Sequence, residues 1–143
     1  MFEVLADREK YVPLLLLGDE QEELVRAYLN EGRLFAEERN GEPLAVALVI
    51  DHPEGVELKN MAVAEYAHGR RIGTALLADI FPHYIGQTMF VGTGEVPKSL
   101  RFYQRSGFTI CGRVKNFFLD HYDHVMVEDG IQLVDMVYLK RLC

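Results

Sequence analysis

A chain of 143 residues with 49% hydrophobic and 26% charged residues has globular composition and enough length for one core, which excludes a disordered chain and leaves little room for two domains. Lys and Arg total 15 against 22 Asp and Glu, a formal charge of −7. A diffuse acidic surface argues against nucleic acid and anionic membrane as partners and favours a cationic or neutral one.

We therefore expect a single domain over residues 1–143. Met1 to Lys10 alternates acidic and basic residues, and the apolar run Val12 to Leu17 is too short for a signal sequence or a membrane span, so the expected location is the cytoplasm. The two cysteines fit neither a disulfide framework nor a thiolate metal site; Cys111 is expected as a half-buried strand residue and Cys143 as an exposed tail. Asp19 to Asn30 carries Leu24, Val25, Tyr28 and Leu29 at helical spacing, with Gly32 beyond as a stop. Leu34 to Glu38 and Leu44 to Ile50 flank the turn residues Asn40-Gly41 and predict a hairpin, and Val56 to Val63 a third strand. Gly69 to Phe81 places Ile72, Leu76, Leu77 and Ile80 on one helical face, and Pro82 ends it. Thr88 to Val91 predicts a short strand, Lys98 to Arg105 a helix closed by Ser106-Gly107, Phe108 to Cys111 another strand, and Leu133 to Leu139 the last. Three consecutive strands imply an antiparallel meander, and strand, helix, strand implies one parallel crossover. The expected fold is α/β (α+β): a mixed, mostly antiparallel sheet flanked by helices.

The stretch Met61-Ala62-Val63-Ala64-Glu65-Tyr66-Ala67-His68-Gly69-Arg70-Arg71-Ile72-Gly73-Thr74 runs from a strand through a loop of glycines and arginines into an amphipathic helix. Unpaired amides and the helix dipole at such a start favour a pyrophosphate. Arg70 and Arg71 add charge, and Gly73 lets a ligand approach the main chain. A plain turn with solvated arginines is the competing reading. A second block, Ser99-Leu100-Arg101-Phe102-Tyr103-Gln104-Arg105-Ser106-Gly107-Phe108, follows about 30 residues later.

From Glu57 to Phe108 the sequence resembles the core of the GNAT superfamily of N-acetyltransferases, whose signature Gln/Arg-x-x-Gly-x-Gly/Ala falls here on His68 to Gly73. His68 stands where the family has Gln or Arg, Arg71 replaces the first signature glycine, and Gly73 matches. The second block is similar to the family's Phe-Tyr-x-Lys/Arg-x-Gly-Phe helix end, and Glu95, Val96 and Pro97 occupy a region where the family often has Asn. Asn116-Phe117-Phe118, His121-Tyr122, Glu128 to Gln132 and Asp135-Met136 resemble small bacterial members.

The resemblance implies a GNAT-like fold and transfer of acetyl from acetyl-CoA, the co-substrate, to a primary amine of a small molecule or peptide by direct attack on the thioester. It places Met61, Ala62, Val63, His68, Gly69, Arg70, Arg71, Ile72, Gly73, Thr74, Phe102 and Arg105 around the cofactor. Tyr103 aligns with the general acid that protonates the leaving thiolate. Glu57 is the expected catalytic base, with Asp120, His121, Asp123 and His124 as alternatives. No metal is expected, because His121 and His124 have no third ligand at useful spacing. Exposed strands near the C-terminus suggest a homodimer. The alternative is a sensor module that binds coenzyme A or its acyl form without turnover. A transfer-RNA-modifying toxin conflicts with the charge, and no Gly-x-x-x-x-Gly-Lys-Ser/Thr loop exists for a nucleotide enzyme.

Overall fold

The computed structural model describes residues 1–143. Its framework is the hairpin read from the sequence: β2 (Arg33–Arg39) and β3 (Glu42–His52) pair antiparallel across Asn40 and Gly41, which take φ of 52° and 79°, the left-handed pair that a two-residue hairpin turn requires. β4 (Gly55–Val63) continues the meander against β3. β1 (Phe2–Val4) adds to the outer edge of β2; three residues give too little periodicity to be read from sequence. β5 (Thr88–Gly94) pairs parallel to β4, as the crossover predicted. β6 (Thr109–Val114) pairs with the C-terminal strand β9 (Met136–Leu142), which is inserted between β5 and β6, giving the seven-stranded order β1-β2-β3-β4-β5-β9-β6.

The sheet separates two cores. On one face Leu76, Leu77 and Ile80 of α3 (Ile72–Ile80) pack on Phe35, Leu58, Val91 and Leu139. On the other, Leu15 of α1 (Val12–Gly18) and Val25 of α2 (Glu22–Tyr28) pack on Leu34, Val46 and Leu48. Each such fully buried Leu is worth about 1.5–3 kcal/mol of transfer free energy. The apolar run Val12 to Leu17, which has no polar face to give it a period, becomes α1 with Pro13 in its first turn.

Several boundaries differ from the sequence expectation. α2 is shorter than Asp19 to Asn30 because Asp19 is extended at φ −146° and spends its side chain on tertiary bonds. α3 begins at Ile72 rather than Gly69, since Gly69 and Arg71 sit at φ 80° and 57°, and it ends in a 3-10 turn, Phe81–Tyr84, at Pro82. The last strand runs three residues further, and Leu133 belongs instead to a small cluster with Val96, Phe118 and Met126. α4 (Pro97–Arg105) closes as expected, with Gly107 at φ 93° and the Phe108 amide donating to the Tyr103 carbonyl at 3.1 Å. The segment after β6 forms α5 (Phe117–His121) and a hairpin, β7 (Val127–Glu128) and β8 (Ile131–Gln132). Cys111 is exposed, and Cys143 is half-buried because its backbone pairs with Gly86 and Gln87. No helix is long and apolar enough to cross a membrane.

Candidate active site

The site begins with one extra residue. Leu48 pairs with Asn60 but Val49 pairs with Leu58, so Lys59 is a β-bulge in β4. A bulge inverts the side-chain alternation beyond it. Val56 and Leu58 face the α3 core, whereas after Lys59 it is Met61 and Val63 that pack toward that core and Asn60 and Ala62 that face α1 and α2. The strand also parts from β5 here: their pairing stops at Leu58 and Val91, although both strands continue, to Val63 and Gly94. One edge of Lys59 to Val63 is thereby left without a strand partner. A cleft of about 1220 Å³ opens along it.

The cleft runs to the start of α3. The first helical hydrogen bond goes from the Ala75 amide to the Arg71 carbonyl at 3.0 Å, which leaves the amides of Ile72, Gly73 and Thr74 free of helical partners. Arg71 occupies the left-handed region at φ 57°, ψ 25°, where glycine is comfortable and arginine is strained. The backbone thus takes the shape a glycine would give, with a guanidinium on the cleft wall. Gly73 is packed rather than open: a Cβ there would lie 3.1 Å from Met61 Cε and 3.2 Å from Phe102 Cζ. His68 lines the cleft and also turns back on the strand, its Nε2 lying 2.8 Å from the Val63 carbonyl. That contact requires the tautomer with the proton on Nε2 and fixes the end of β4.

α4 supplies the opposite wall. Lys98, Arg101 and Arg105, at helical spacing on one face, line the cleft beside Phe102 and Tyr103. With Lys59 and Arg71 they make a cationic lining inside a chain of net charge −7, suited to an anionic ligand. Tyr103 is half-buried, its ring edge-on to Phe102 at 5.0 Å and to Phe108 at 5.7 Å. Burial, then the nearby charge of Glu128, pushes its phenol well above the usual value, so the hydroxyl keeps its proton.

Of the residues expected around the cofactor, all line this cleft except Arg70. Glu57 lies outside the lining. It sits before the bulge, paired to Ile50 on one side and Phe90 on the other, and its charge is felt at Tyr138. The alternative bases are also elsewhere: Asp123 and His124 pair with each other at 2.7 Å on the surface, and His121 packs on Phe117. Polar and charged lining residues that the sequence reading did not assign to the site include Lys59, Asn60, Lys98, Ser99, Arg101, Glu128 and Asp129. The i, i+3, i+7 spacing of the α4 cations was a legible signal; the arrival of the β7–β8 turn at α4, where Ser99 Oγ donates to Glu128 at 3.3 Å, was not.

An open strand edge leading to a free helix start and a cationic wall suits an extended ligand with an anionic end. The family profile described as Acetyltransferase (GNAT) domain matches residues 30–110. The chain is 35% identical over 131 residues to a Bacillus subtilis (strain 168) protein named Uncharacterized N-acetyltransferase YvbK, covering 88% of this chain and 84% of that one. A Bacillus subtilis acetyltransferase solved in complex with CoA superposes with a TM-score of 0.86 at 31% identity, over 97% of this chain and 95% of the other. A GNAT family acetyltransferase from Elizabethkingia anophelis, solved with acetyl-CoA bound, gives a TM-score of 0.83 at 34% identity, over 92% and 89%. The chain belongs to the GNAT acetyltransferase family.

Proposed function

We propose that this acetyltransferase moves acetyl from acetyl-CoA to a primary amine of a small molecule or peptide by direct attack on the thioester. The observation that carries the reading is the splay of β4 from β5 at the Lys59 bulge, with the cleft leading to the unpaired amides of α3. The free edge of Met61 to Val63 suits the amide groups of a pantetheine arm and can polarise a carbonyl. The amides of Ile72, Gly73 and Thr74 suit a pyrophosphate, with Arg71, Arg101 and Arg105 neutralising its charge. Tyr103, protonated and on the cleft wall, suits the role of giving a proton to the leaving thiolate. Coenzyme-bound relatives support the choice of co-substrate.

The sheet edge at β6 is exposed along its length, which suits the homodimer expected from the sequence, and two unpaired cysteines suit a reducing cytoplasm. Calorimetric titration with acetyl-CoA, followed by thiol release on adding amines, tests the reading. Binding and amine-dependent thiol release support it, binding without release favours the sensor module, and no binding removes both.

A further inference from the structure

A second, smaller cavity of about 140 Å³ adjoins the cleft between the end of α1, β5 and the segment carrying α5 and β7. The two share Leu17, Gly18, Thr93 and Glu128, so they meet at these residues. Three carboxylates stand in the smaller cavity's wall, and two are occupied. Asp19 Oδ1 accepts from the Tyr122 hydroxyl at 3.0 Å and the Gln21 amide at 3.3 Å, and its Oδ2 accepts from Tyr28 at 3.1 Å. Glu20 faces His124 at 3.6 Å. Glu128 accepts one bond, from Ser99 at 3.3 Å, and it is the one carboxylate common to both cavities.

We infer that the acceptor amine reaches the thioester through this smaller cavity and that Glu128, at the junction, receives it as an ammonium and removes its proton. The inference rests on the functional reading above and names the base and substrate class for it. R–NH3+ gives one proton to the Glu128 carboxylate. The freed lone pair forms the C–N bond as the C–S pair leaves on sulfur. Tyr103 protonates the thiolate and recovers the second proton from nitrogen, so that one proton leaves through Glu128. The cavity has about a ninth of the cleft's volume, 140 against 1220 Å³, which suits a slender chain ending in an ammonium. The acceptor class is therefore a linear alkylammonium, such as a diamine or a lysine side chain, rather than an aminosugar. The other titratable and charged groups in the adjoining walls include Lys98, Arg101 and Tyr103 of α4, Asp129 of the turn, and Asp19, Glu20 and Tyr122 across the smaller cavity.

The test uses the full chain, acetyl-CoA, and four acceptors: 1,4-diaminobutane, lysine, an alanine dipeptide and kanamycin. The linear amines are expected to be acetylated. Glu128→Gln should lower kcat/KM for them about a hundredfold or more at pH 7 and leave the acetyl-CoA Kd unchanged. The deficit should shrink as pH rises toward the amine pKa, where the acceptor arrives already neutral; a merely structural role would not move with pH in this way. Glu128→Asp should recover part of the rate. Linear amines acetylated by Glu128→Gln at the parent rate and pH profile would overturn the inference and leave the functional reading intact, as would acetylation of kanamycin or the dipeptide alone. No acetylation of any acceptor by the parent would overturn the functional reading itself and the inference with it.

Discussion

Replacing Tyr103 by Phe separates packing from chemistry, because the ring contacts at 5.0 Å to Phe102 and 5.7 Å to Phe108 survive while the proton proposed for the departing sulfur is lost. No side-chain hydrogen bond contributes to the state of the hydroxyl, so its removal orphans no partner and stability should change by no more than about 0.5 kcal/mol. General acid catalysis supplies roughly a hundred- to ten-thousandfold, about 2.7–5.5 kcal/mol of the barrier at 1.36 kcal/mol per decade. That loss belongs to the transition state and should appear in kcat with KM nearly constant. Burial disfavours the phenolate, so the acid form persists past the usual pKa of about 10 and is lost only as pH rises through the raised folded value. The parent should show no basic fall of kcat from this group below about pH 10. Rapid-quench single-turnover measurement isolates the chemical step from product release. A folded Tyr103→Phe variant that transfers acetyl at the parent single-turnover rate would refute the reasoning.

Arg71→Gly should relieve left-handed strain of about 1 kcal/mol, partly offset by glycine's freedom in the unfolded chain, so melting temperature should hold or rise while calorimetric affinity for acetyl-CoA falls with the lost guanidinium. Gly73→Asp should weaken acetyl-CoA binding and also lower the melting temperature, since its Cβ presses on Met61 and Phe102; unchanged affinity in a folded variant would move the pyrophosphate elsewhere. Arg8 donates to the carbonyls of Leu29, Glu31 and Gly32 at 2.6–3.0 Å, closing the end of α2, and Arg8→Ala should cost about 1–3 kcal/mol in denaturant unfolding. Arg113 bonds Glu95 and Asp135. Glu95 is depressed chiefly by Arg113, and Asp135 by the Asn116 amide and then by Arg113. Depressed carboxylates stabilise above their unfolded pKa and lose that stabilisation as pH falls through the folded value. The melting deficit of Arg113→Gln should accordingly be largest near neutrality, shrink with salt, and close below about pH 4.

Local pattern carried the parts of this fold that neighbouring residues decide. Asn40-Gly41 specified the β2–β3 hairpin, and the spacing of Ile72, Leu76, Leu77 and Ile80 specified the buried face of α3. The strand into that helix and the Phe102-Tyr103 pair located two walls of the cleft. What stayed hidden depends on distant partners. The Lys59 bulge reverses which residues of β4 face the α3 core, and nothing at Lys59 itself announces it. Glu57 lies before the point where β4 parts from β5, still paired to Phe90, so counting six residues back from Val63 found a carboxylate outside the cleft lining. Glu128 joins the wall because the β7–β8 turn crosses to Ser99, 29 residues earlier, and two-residue strands leave no period to detect. α5 is fixed through Tyr122 bonding to Asp19, 103 residues away, a contact only the folded chain contains.

The most direct test of the central claim is stopped-assay thiol release with product mass analysis, using purified chain, acetyl-CoA and the amine panel. The account predicts free coenzyme A appearing in step with an N-acetylated amine, at a rate that falls in Tyr103→Phe. Tight acetyl-CoA binding with no acetylated product from any amine would contradict it.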